Sequence, residues 1–342
     1  MNIFVLALAV TLTPSGGDDT ARIQAALNEN QSVVLNGGPF VVTSRITVDG
    51  DRALVGSGEG ITTISSTVAA QTFQINSGAG VTTLNARFEN FTLDGNNAGQ
   101  VGFRWGQTTA SPHTGSGSMR NVTVRGFTGA GVQLVFTAGL RLDGVTFFRN
   151  LYGLHFAAEA DNANTTVHVQ GGWFKQNTIG LLMENGFSVT VRDSIFETNT
   201  QEGVFVRRPD RATMTTRNIT FADDHFENNN VGRAGVNYQF RAQSLGSSII
   251  QMLAIERNTF ADSGESNRHV FFGKGRFRDV DNEYLGPTAG AVTCENSTVC
   301  RVFSRNDLAP SAFWTLPGGA PPVTWQQGVD MFTNVGGVPT KR

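Results

Sequence analysis

Hydrophobic and polar positions follow a short pattern that recurs between residues 88 and 285. Each copy has an apolar residue, a polar residue, a turn residue and then an apolar or aromatic residue. The copies read RFENFTL, SMRNVTV, RLDGVTF, HVQGGWF, TVRDSIF, TFADDHF, AIERNTF and RFRDVDN. Alignment places apolar residues in one column, namely Phe88, Met119, Leu142, Val169, Val191, Phe221, Ile255 and Phe277. Two positions later it places turn residues, namely Asn90, Asn121, Gly144, Gly171, Asp193, Asp223, Arg257 and Asp279. Successive copies lie 22 to 34 residues apart, and none can bury its own apolar residues, so the copies are predicted to stack.

Most copies continue to an Asn and a Gly followed by another short apolar segment, as in FFRNLYGLHF and FKQNTIGLLM. Several short strands per repeat without helical periodicity predict a coil of parallel strands in which each turn rises by about 4.8 Å. Equivalent residues then lie above one another, which predicts an interior aromatic column. Its members are Phe147, Phe174, Phe196, Phe226 and Phe260.

The segment TPSGGDDTARIQAALNEN, which precedes the repeats, predicts a short helix that covers the open end of the coil. Asp18 or Asp19 is suited to cap this helix, and Ile23, Ala26 and Leu27 share one of its faces. GGDDTARIQAALN followed by VVLNGGPFVVTSRITV resembles the entry sequence of the pectin-lyase-like superfamily. With the repeats, the resemblance covers roughly residues 10 to 285. It implies an all-β fold, a right-handed parallel β-helix of about eight or more coils. Because that superfamily includes lyases, hydrolases, epimerases, bacteriophage tailspikes and adhesins, the resemblance leaves the activity open.

Three regions are expected along the chain. Residues 1–36 are predicted to form an N-terminal strand and the capping helix, residues 37–286 the parallel β-helix, and residues 287–342 a C-terminal cap or oligomerisation segment. The apolar run at residues 3–12 lacks a preceding Lys or Arg and a clear cleavage site, so it is interpreted as a retained first strand rather than a cleaved leader. Tailspikes resembling this superfamily are homotrimers, which implies a trimer as the alternative to a simple cap. A disulfide between Cys294 and Cys300 is left open.

The composition changes the picture mainly by excluding partners. A formal charge of −2 and 16% charged residues provide no broad attraction to nucleic acid or anionic lipid, so neither nucleic acid nor membrane is expected as a partner. The apolar run at residues 3–12 is also too short to span a bilayer. No acidic cluster dense enough for calcium and no His/Cys spacing for zinc is recognised, so no metal or cofactor is expected.

Side chains in the strand after each Gly are predicted to alternate between core and solvent. The predicted inward positions are Phe103, Trp105, Val132, Leu134, Leu154, Phe156, Leu181, Met183, Val204, Val206, Val236, Tyr238, Val270 and Phe272. The outward positions form one stripe of Arg104, Gln133, His155, Leu182, Glu184, Phe205, Arg207, Asn237, Gln239, Arg241 and Phe271. Polar groups, arginines and occasional aromatic rings suit a polysaccharide laid on the coils. The predicted substrate-binding residues are Arg104, Gln133, Phe205, Asn237, Gln239 and Arg241.

Glycoside hydrolysis is one reaction that this stripe fits. It needs two carboxyl groups about 5 to 9.5 Å apart. Glu184 and Glu159, on adjacent coils, are the candidates, with Asp161 as a substitute. The pair Asp223-Asp224 is set aside, because Asp223 stands in the turn column.

Elimination from a uronic acid is the other reaction. It needs a cation that neutralises the carboxylate and a base that removes the neighbouring proton. Arg207 with Arg104 or Arg241 is the candidate cation, and His155 is the candidate base.

The sequence therefore favours binding and depolymerisation of a bacterial surface or extracellular polysaccharide, by a hydrolase or lyase at an extracellular or virion location, as in a phage tailspike. One alternative is a non-catalytic structural or adhesive β-helix of a virion or cell surface. Another is a secreted bacterial polysaccharide lyase or hydrolase, for which the first dozen residues would have to be cleaved.

Overall fold

The computed structural model describes most of the chain as short strands. It covers residues 9–75, 85–106, 116–159, 163–210, 216–230, 238–245, 248–261 and 268–285, and the backbone of 292–294, 300–305, 314–315, 330–335 and 338–341. The elements of the first half are β1 (Val10–Leu12), α1 (Thr20–Glu29), β2 (Ser32–Leu35), β3 (Phe40–Val42), β4 (Ile46–Val48), β5 (Ala53–Gly56), β6 (Thr63–Ser66), β7 (Gln71–Ile75), β8 (Ala86–Asp94), β9 (Val101–Gly106), β10 (Gly117–Arg125), β11 (Ala130–Val135), β12 (Leu140–Asp143), β13 (Thr146–Phe148), β14 (Tyr152–Phe156), β15 (Asn164–Gln170) and β16 (Trp173–Lys175). Those of the second half are β17 (Ile179–Met183), β18 (Gly186–Arg192), β19 (Ile195–Glu197), β20 (Val204–Arg208), β21 (Thr216–Ala222), β22 (His225–Glu227), β23 (Tyr238–Ser244), β24 (Ile250–Glu256), β25 (Thr259–Ala261), β26 (Arg268–Phe272), β27 (Gly275–Val280), β28 (Glu283–Tyr284), β29 (Val292–Cys294), β30 (Cys300–Arg305), β31 (Trp314–Thr315), β32 (Asp330–Val335) and β33 (Val338–Lys341).

The strands wind into a coil with three faces, each a ladder of parallel strands. The first face runs β1-β2-β5-β8-β10-β12-β15-β18-β21-β24-β27-β30. The second runs β3-β6-β8-β10-β13-β16-β19-β22-β25-β28, so β8 and β10 bend through both faces. The third runs β4-β7-β9-β11-β14-β17-β20-β23-β26-β29-β31. This is the predicted parallel β-helix, in which every coil adds one strand to each face.

The corner between the first and second faces is the predicted turn column. Asn90, Asn121, Gly144, Gly171, Asp193, Asp223 and Arg257 all have φ between 51° and 62°. Short polar residues and glycine tolerate this left-handed conformation better than most residues do. The chain therefore turns with the same backbone geometry on coil after coil.

The last copy of the repeat was aligned wrongly in the sequence. Phe277 pairs with Leu253 and Asp279 with Ile255, so the alignment of this copy is two residues off. The left-handed position of this coil is Asp281, with φ of 55°. Asp279 is instead fully buried and accepts hydrogen bonds from Asn282 Nδ2 and Tyr284 Oη, at 2.6 and 2.8 Å.

An aromatic stack fills the core behind the second face, as predicted. Phe147, Phe174, Phe196, Phe226 and Phe260 stack in order with ring centroids 4.5 to 4.8 Å apart and planes within 17° of parallel. Tyr284 extends the stack at 5.0 Å. The centroid spacing matches the distance between paired strands, so each coil contributes one ring.

A ladder of buried asparagines lines the corner between the second and third faces. Its members are Asn150, Asn177, Asn199 and Asn229. Each donates from Nδ2 to a carbonyl of the preceding coil, and each Oδ1 accepts a backbone N–H from that coil. Turn-forming asparagines therefore satisfy backbone groups that would otherwise be buried without partners.

The two ends of the coil differ from its body. Helix α1 buries Ile23, Ala26 and Leu27 against the first coils, as predicted, and Asp18 accepts the Thr20 N–H at 3.0 Å. At the other end the parallel pairing continues past residue 286 through β29, β30 and β31. β32 then pairs antiparallel with β30, and β33 with β32. The division of the chain at residues 36 and 286 stays a prediction, and the side chains of Cys294 and Cys300 lie outside the described residues.

Candidate functional site

The outer side of the third face carries the stripe that the sequence predicted. Paired strands place its members in one register column of Gln74, Arg104, Gln133, His155, Leu182, Phe205, Arg241 and Phe271. Between these positions the predicted inward residues, from Phe103 to Phe272, are fully buried wherever the structure describes them, apart from Tyr238. Glu184 and Arg207 lie two residues after Leu182 and Phe205, and belong to a second outward column. Asn237, Val236 and Asp161 lie outside the described residues.

The predicted outward position of Gln239 is wrong. Gln239 is 1% exposed, accepts a hydrogen bond from Asn229 Nδ2 at 3.1 Å and donates to His269 Nδ1 at 3.0 Å. It occupies the position of glycines in earlier coils, where a Cβ on Gly180 would meet Phe174 and the asparagine ladder at 3.2 Å. A side chain in this column therefore enters the coil, and Gln239 is not available to a substrate on the outer face.

Tyr238 was predicted to point into the core, and this is also wrong. Its ring is buried, but against the outward-facing Phe271, with centroids 4.8 Å apart. The sequence Gly235-Val236 resembles the junction before a strand, whereas β23 begins at Tyr238. Because the strand begins later than this junction indicates, the sequence prediction placed Tyr238 and Gln239 on the wrong sides of the strand.

One cluster on the stripe joins Arg104, Gln133 and Glu159. The Arg104 guanidinium donates to both oxygens of Glu159, at 3.2 and 2.5 Å, and to Gln133 Oε1 at 2.7 Å. Gln133 Nε2 completes the triangle with a 2.9 Å bond to Glu159 Oε1. Because β9 and β11 supply the first two residues and the segment after β14 supplies the third, this cluster spans three coils.

A second cluster joins His155, Glu184 and Arg207 on the next coils. His155 Nε2 lies 2.9 Å from Glu184 Oε2, and Arg207 donates from Nε to Glu184 Oε1 at 3.1 Å, with a further bond from Nη2. The carboxylate is 11% exposed, the imidazole 12% and the guanidinium 41%. Tyr152 packs beside the imidazole, with ring centroids 5.2 Å apart.

These partners fix the charge of Glu184. Burial alone raises the pKa of this carboxyl, but the hydrogen bonds and charges of His155 and Arg207 outweigh burial and lower the pKa to about 2. Glu184 is therefore ionised at neutral pH and is not a proton donor. It is an acceptor that orients the imidazole through Nε2.

A third cluster places Arg241 between two aromatic rings. Its guanidinium carbon lies 4.9 Å from the Phe205 centroid and 5.6 Å from the Phe271 centroid. Gln243 Oε1 accepts from Arg241 at 2.8 Å, and Glu202 Oε1 accepts at 3.4 Å. The sequence interpretation missed Glu202, since it precedes Gly203 and looks like a turn residue, although it is 2% exposed. The arrangement holds a cation in a fixed position beside apolar walls.

The two predicted catalytic carboxylates belong to separate clusters. Glu159 is bound to Arg104 and Gln133, towards the N-terminal coils, whereas Glu184 is bound to His155 and Arg207. The structure thus brings together the lyase candidates His155 and Arg207 more directly than the hydrolase pair. Within the part of the chain that the structure describes, no group of three or more His, Cys, Asp or Glu residues is arranged to hold a metal ion. The described residues also include no helix with the length and hydropathy of a membrane span.

The fold and this outer stripe define a parallel β-helix protein with a polar third face. No protein-family model and no curated protein sequence matches the chain. Solved structures do match it. PfbA, a surface adhesin of Streptococcus pneumoniae, is similar over 98% of this chain and 99% of its own, with 11% identity and a TM-score of 0.60. The enzymatically active domain of tailspike protein 2 of bacteriophage CBA120 matches 87% of this chain with 15% identity and a TM-score of 0.60, and the match spans 47% of that chain. The Agl-KA catalytic domain matches 92% of this chain and 68% of its own, with 12% identity and a TM-score of 0.60. At these identities the shared property is the fold.

Proposed function

We propose that the protein binds a bacterial surface or extracellular polysaccharide along the outer third face and cleaves it beside Glu184. The observation that carries the proposal is the His155–Glu184–Arg207 cluster, a nearly buried carboxylate held by an imidazole and a guanidinium in the middle of the polar stripe. Ionisable groups that are desolvated and specifically paired are found preferentially at functional sites. Enzymes and a tailspike domain among the structures with this fold support the same class of function.

The roles of the cluster follow from its charges. Arg207 is the most exposed member and presents a cation to a sugar carboxylate. His155, oriented by Glu184, is the base that removes the proton next to that carboxylate. The C–H electrons form a C=C bond, the glycosidic C–O bond breaks, and the leaving oxygen takes a proton from water, so that an unsaturated sugar end remains. The clusters around Arg104 and Arg241 hold the polysaccharide on either side of the His155–Glu184–Arg207 cluster, and Phe205 adds an apolar wall. Hydrolysis would instead need a second carboxyl group beside Glu159, add water across the bond and leave no double bond.

Replacing Glu184 by glutamine is expected to lower the rate of depolymerisation by about 100-fold or more, because the imidazole loses its charged acceptor. The measurement is the shortening of capsular and lipopolysaccharide glycans, with absorbance of an unsaturated end read in parallel. Glu256→Gln is the matched control, since Glu256 is also a part-buried carboxylate paired with arginines but lies on the first face. His155→Asn tests the base while Glu184 keeps its hydrogen bond from Arg207.

An unchanged rate in folded Glu184→Gln and His155→Asn would overturn the catalytic assignment. Cleavage without an absorbing end would replace elimination by hydrolysis. No shortening of any glycan by the wild type, with binding unchanged in Glu184→Gln and Arg207→Ala, would remove the proposal altogether.

A non-catalytic adhesive role is the second candidate, and one observation favours it. The cations Arg104, Arg207 and Arg241 each pair with a carboxylate of this chain, namely Glu159, Glu184 and Glu202. A face whose charges are already neutralised can bind a glycan through hydrogen bonds and rings without reacting with it. The adhesin PfbA shares the fold over nearly the whole of both chains. Tight binding without depolymerisation distinguishes this role from the first.

The trimer expected from the sequence is tested separately, by sedimentation.

A further inference from the structure

The second face carries an exposed aromatic surface that the third-face site does not use. Trp173 and Ile195 are paired neighbours on adjacent coils, and each is 40% exposed. Phe148, half-buried in the adjoining outward column, pairs with Lys175 directly beside them. We call Phe148, Trp173 and Ile195 the tryptophan patch. It spans three coils, or about 14 Å including its own width.

The indole of Trp173 is held in place by charged neighbours. Its Nε1–H donates to Glu197 Oε2 at 3.2 Å, and Lys175 Nζ lies 4.8 Å from the ring centroid. Lys175 and Glu197 also bond to each other at 3.2 Å. An exposed tryptophan fixed in this way loses little rotamer freedom when a ligand stacks on it.

The surroundings of the tryptophan patch are polar. Arg149 lies over the Phe148 ring, with its guanidinium carbon 4.7 Å from the centroid, and donates to Gln176 Oε1 at 3.1 Å. In the column of Trp173, the flanking positions are Thr123, Thr146, His225 and Thr259. Lys175 is neutralised by Glu197, so the patch presents no net charge from this pair. The apolar area is limited to three side chains, well short of the roughly 800 Å² per partner that a stable protein–protein interface buries.

We infer that the tryptophan patch is a second glycan-binding site, which takes neutral pyranose units and lies on a different face from the proposed cleavage site. A pyranose ring has one face of C–H bonds and an edge of hydroxyls. The C–H face fits the indole and Ile195, and the hydroxyls reach Lys175 and Glu197. The inference rests on the proposed function in that its ligand is a polysaccharide. Its role would be to hold a distant part of the same polymer while another part occupies the third face, which raises the effective concentration at the cleavage site.

Native electrophoresis in gels containing soluble glycans tests this site. The probes are dextran, mannan, galactan and polygalacturonate, together with the capsular and lipopolysaccharide glycans used for depolymerisation. Trp173→Ala is expected to weaken retardation by neutral glycans about tenfold, which corresponds to about 1.4 kcal/mol. Thr146→Ala, in the same column one coil away, is the matched control and is expected to match the wild type. Glu184→Gln keeps Trp173, so neutral glycans are expected to retard it as they retard the wild type. Thermal melting checks that each variant is folded.

Each outcome decides between the two proposals. If Trp173→Ala and the wild type are retarded equally by every glycan that binds, the second site is wrong and the third-face function stands. If a glycan is shortened but none retards the wild type, the same conclusion holds. If sedimentation shows self-association that Trp173→Ala abolishes, the occupant is a second copy of the chain and the inference is overturned. If no glycan is bound or shortened, both proposals fail.

Discussion

Replacement of Asn199 by alanine is expected to lower the free energy of unfolding by about 3 to 5 kcal/mol, because it breaks the buried asparagine ladder in its middle. Asn199 Nδ2 donates to the Phe174 carbonyl at 3.0 Å, and its Oδ1 accepts the Asn177 backbone N–H at 3.0 Å. Alanine leaves both of these backbone groups buried without a partner, and each such group costs about 1 to 3 kcal/mol.

The measurement is equilibrium unfolding in urea at neutral pH. Asn85→Ala is the control, since Asn85 is exposed and lies outside the ladder. A loss of less than about 1 kcal/mol in Asn199→Ala would show that water or rearranged side chains satisfy the freed groups.

Replacement of Asp224 by asparagine is expected to do the opposite, and to stabilise the protein by about 1 to 3 kcal/mol at pH 7. Asp224 sits in a second buried ladder, at the corner between the first and second faces, together with Asn258 and Asn282. Those two asparagines donate from Nδ2 to carbonyls of the preceding coil, at 3.1 and 2.9 Å. The corresponding Asp224 Oδ2 is buried and has no hydrogen-bond partner. An amide in its place would supply the missing donor.

The gain depends on pH with a defined sign. Burial raises the pKa of Asp224 well above 3.8, and the charges of Asp193 and Asp223 add to the rise. The folded protein therefore binds this proton more tightly than the unfolded chain does, so the wild type loses stability as pH rises above 3.8 towards the folded-state pKa. Asp224→Asn removes that loss. The difference in stability between Asp224→Asn and the wild type should be absent near pH 3 and grow as the pH is raised.

Melting temperatures of both proteins across this pH range check the sign. The neighbouring Asp223 is a matched control with the opposite expectation. Hydrogen bonds from Arg257 lower the pKa of Asp223, so its carboxylate stabilises the fold at neutral pH and this contribution is lost in acid. Asp223→Asn should therefore melt lower than the wild type at pH 7. A melting temperature of Asp224→Asn at or below that of the wild type at pH 7 would contradict the ladder interpretation.

Much of the fold could be predicted because its physical causes repeat in the sequence. The turn column needs residues that tolerate positive φ, and the aromatic stack needs one ring per coil, so both recur at readable spacings. Prediction failed at Asp279, where a buried carboxylate replaces an apolar residue. Asp279 accepts hydrogen bonds from Tyr284 and Asn282, and no local signal in the sequence distinguishes it from the turn aspartates. The asparagine ladder was also missed as a ladder, because inward and outward turn asparagines look alike in sequence.

The candidate site was predictable to the extent that strand alternation determines it. His155, Arg207 and Arg104 point outward as alternation requires. Alternation ends at the corners, and Gln239 lies at one, in a column where earlier coils have glycine. The pairing of Glu184 with His155 and Arg207, rather than with Glu159, depends on side-chain packing across coils and leaves no trace in spacing.

The three ladders of parallel strands determine where the molecule opens first. Each interior strand is hydrogen-bonded on both sides to neighbouring coils, so only the terminal coils can fray one at a time. β14 and β20 carry His155 and Arg207, Glu184 directly follows β17, and all three strands lie far from both ends of the third face. Their amide hydrogens should exchange more slowly with deuterated solvent than those of the terminal strands β4 and β31, and faster exchange in the central strands would contradict this expectation. A site on the central coils is therefore protected from fraying by all the coils on both sides of it.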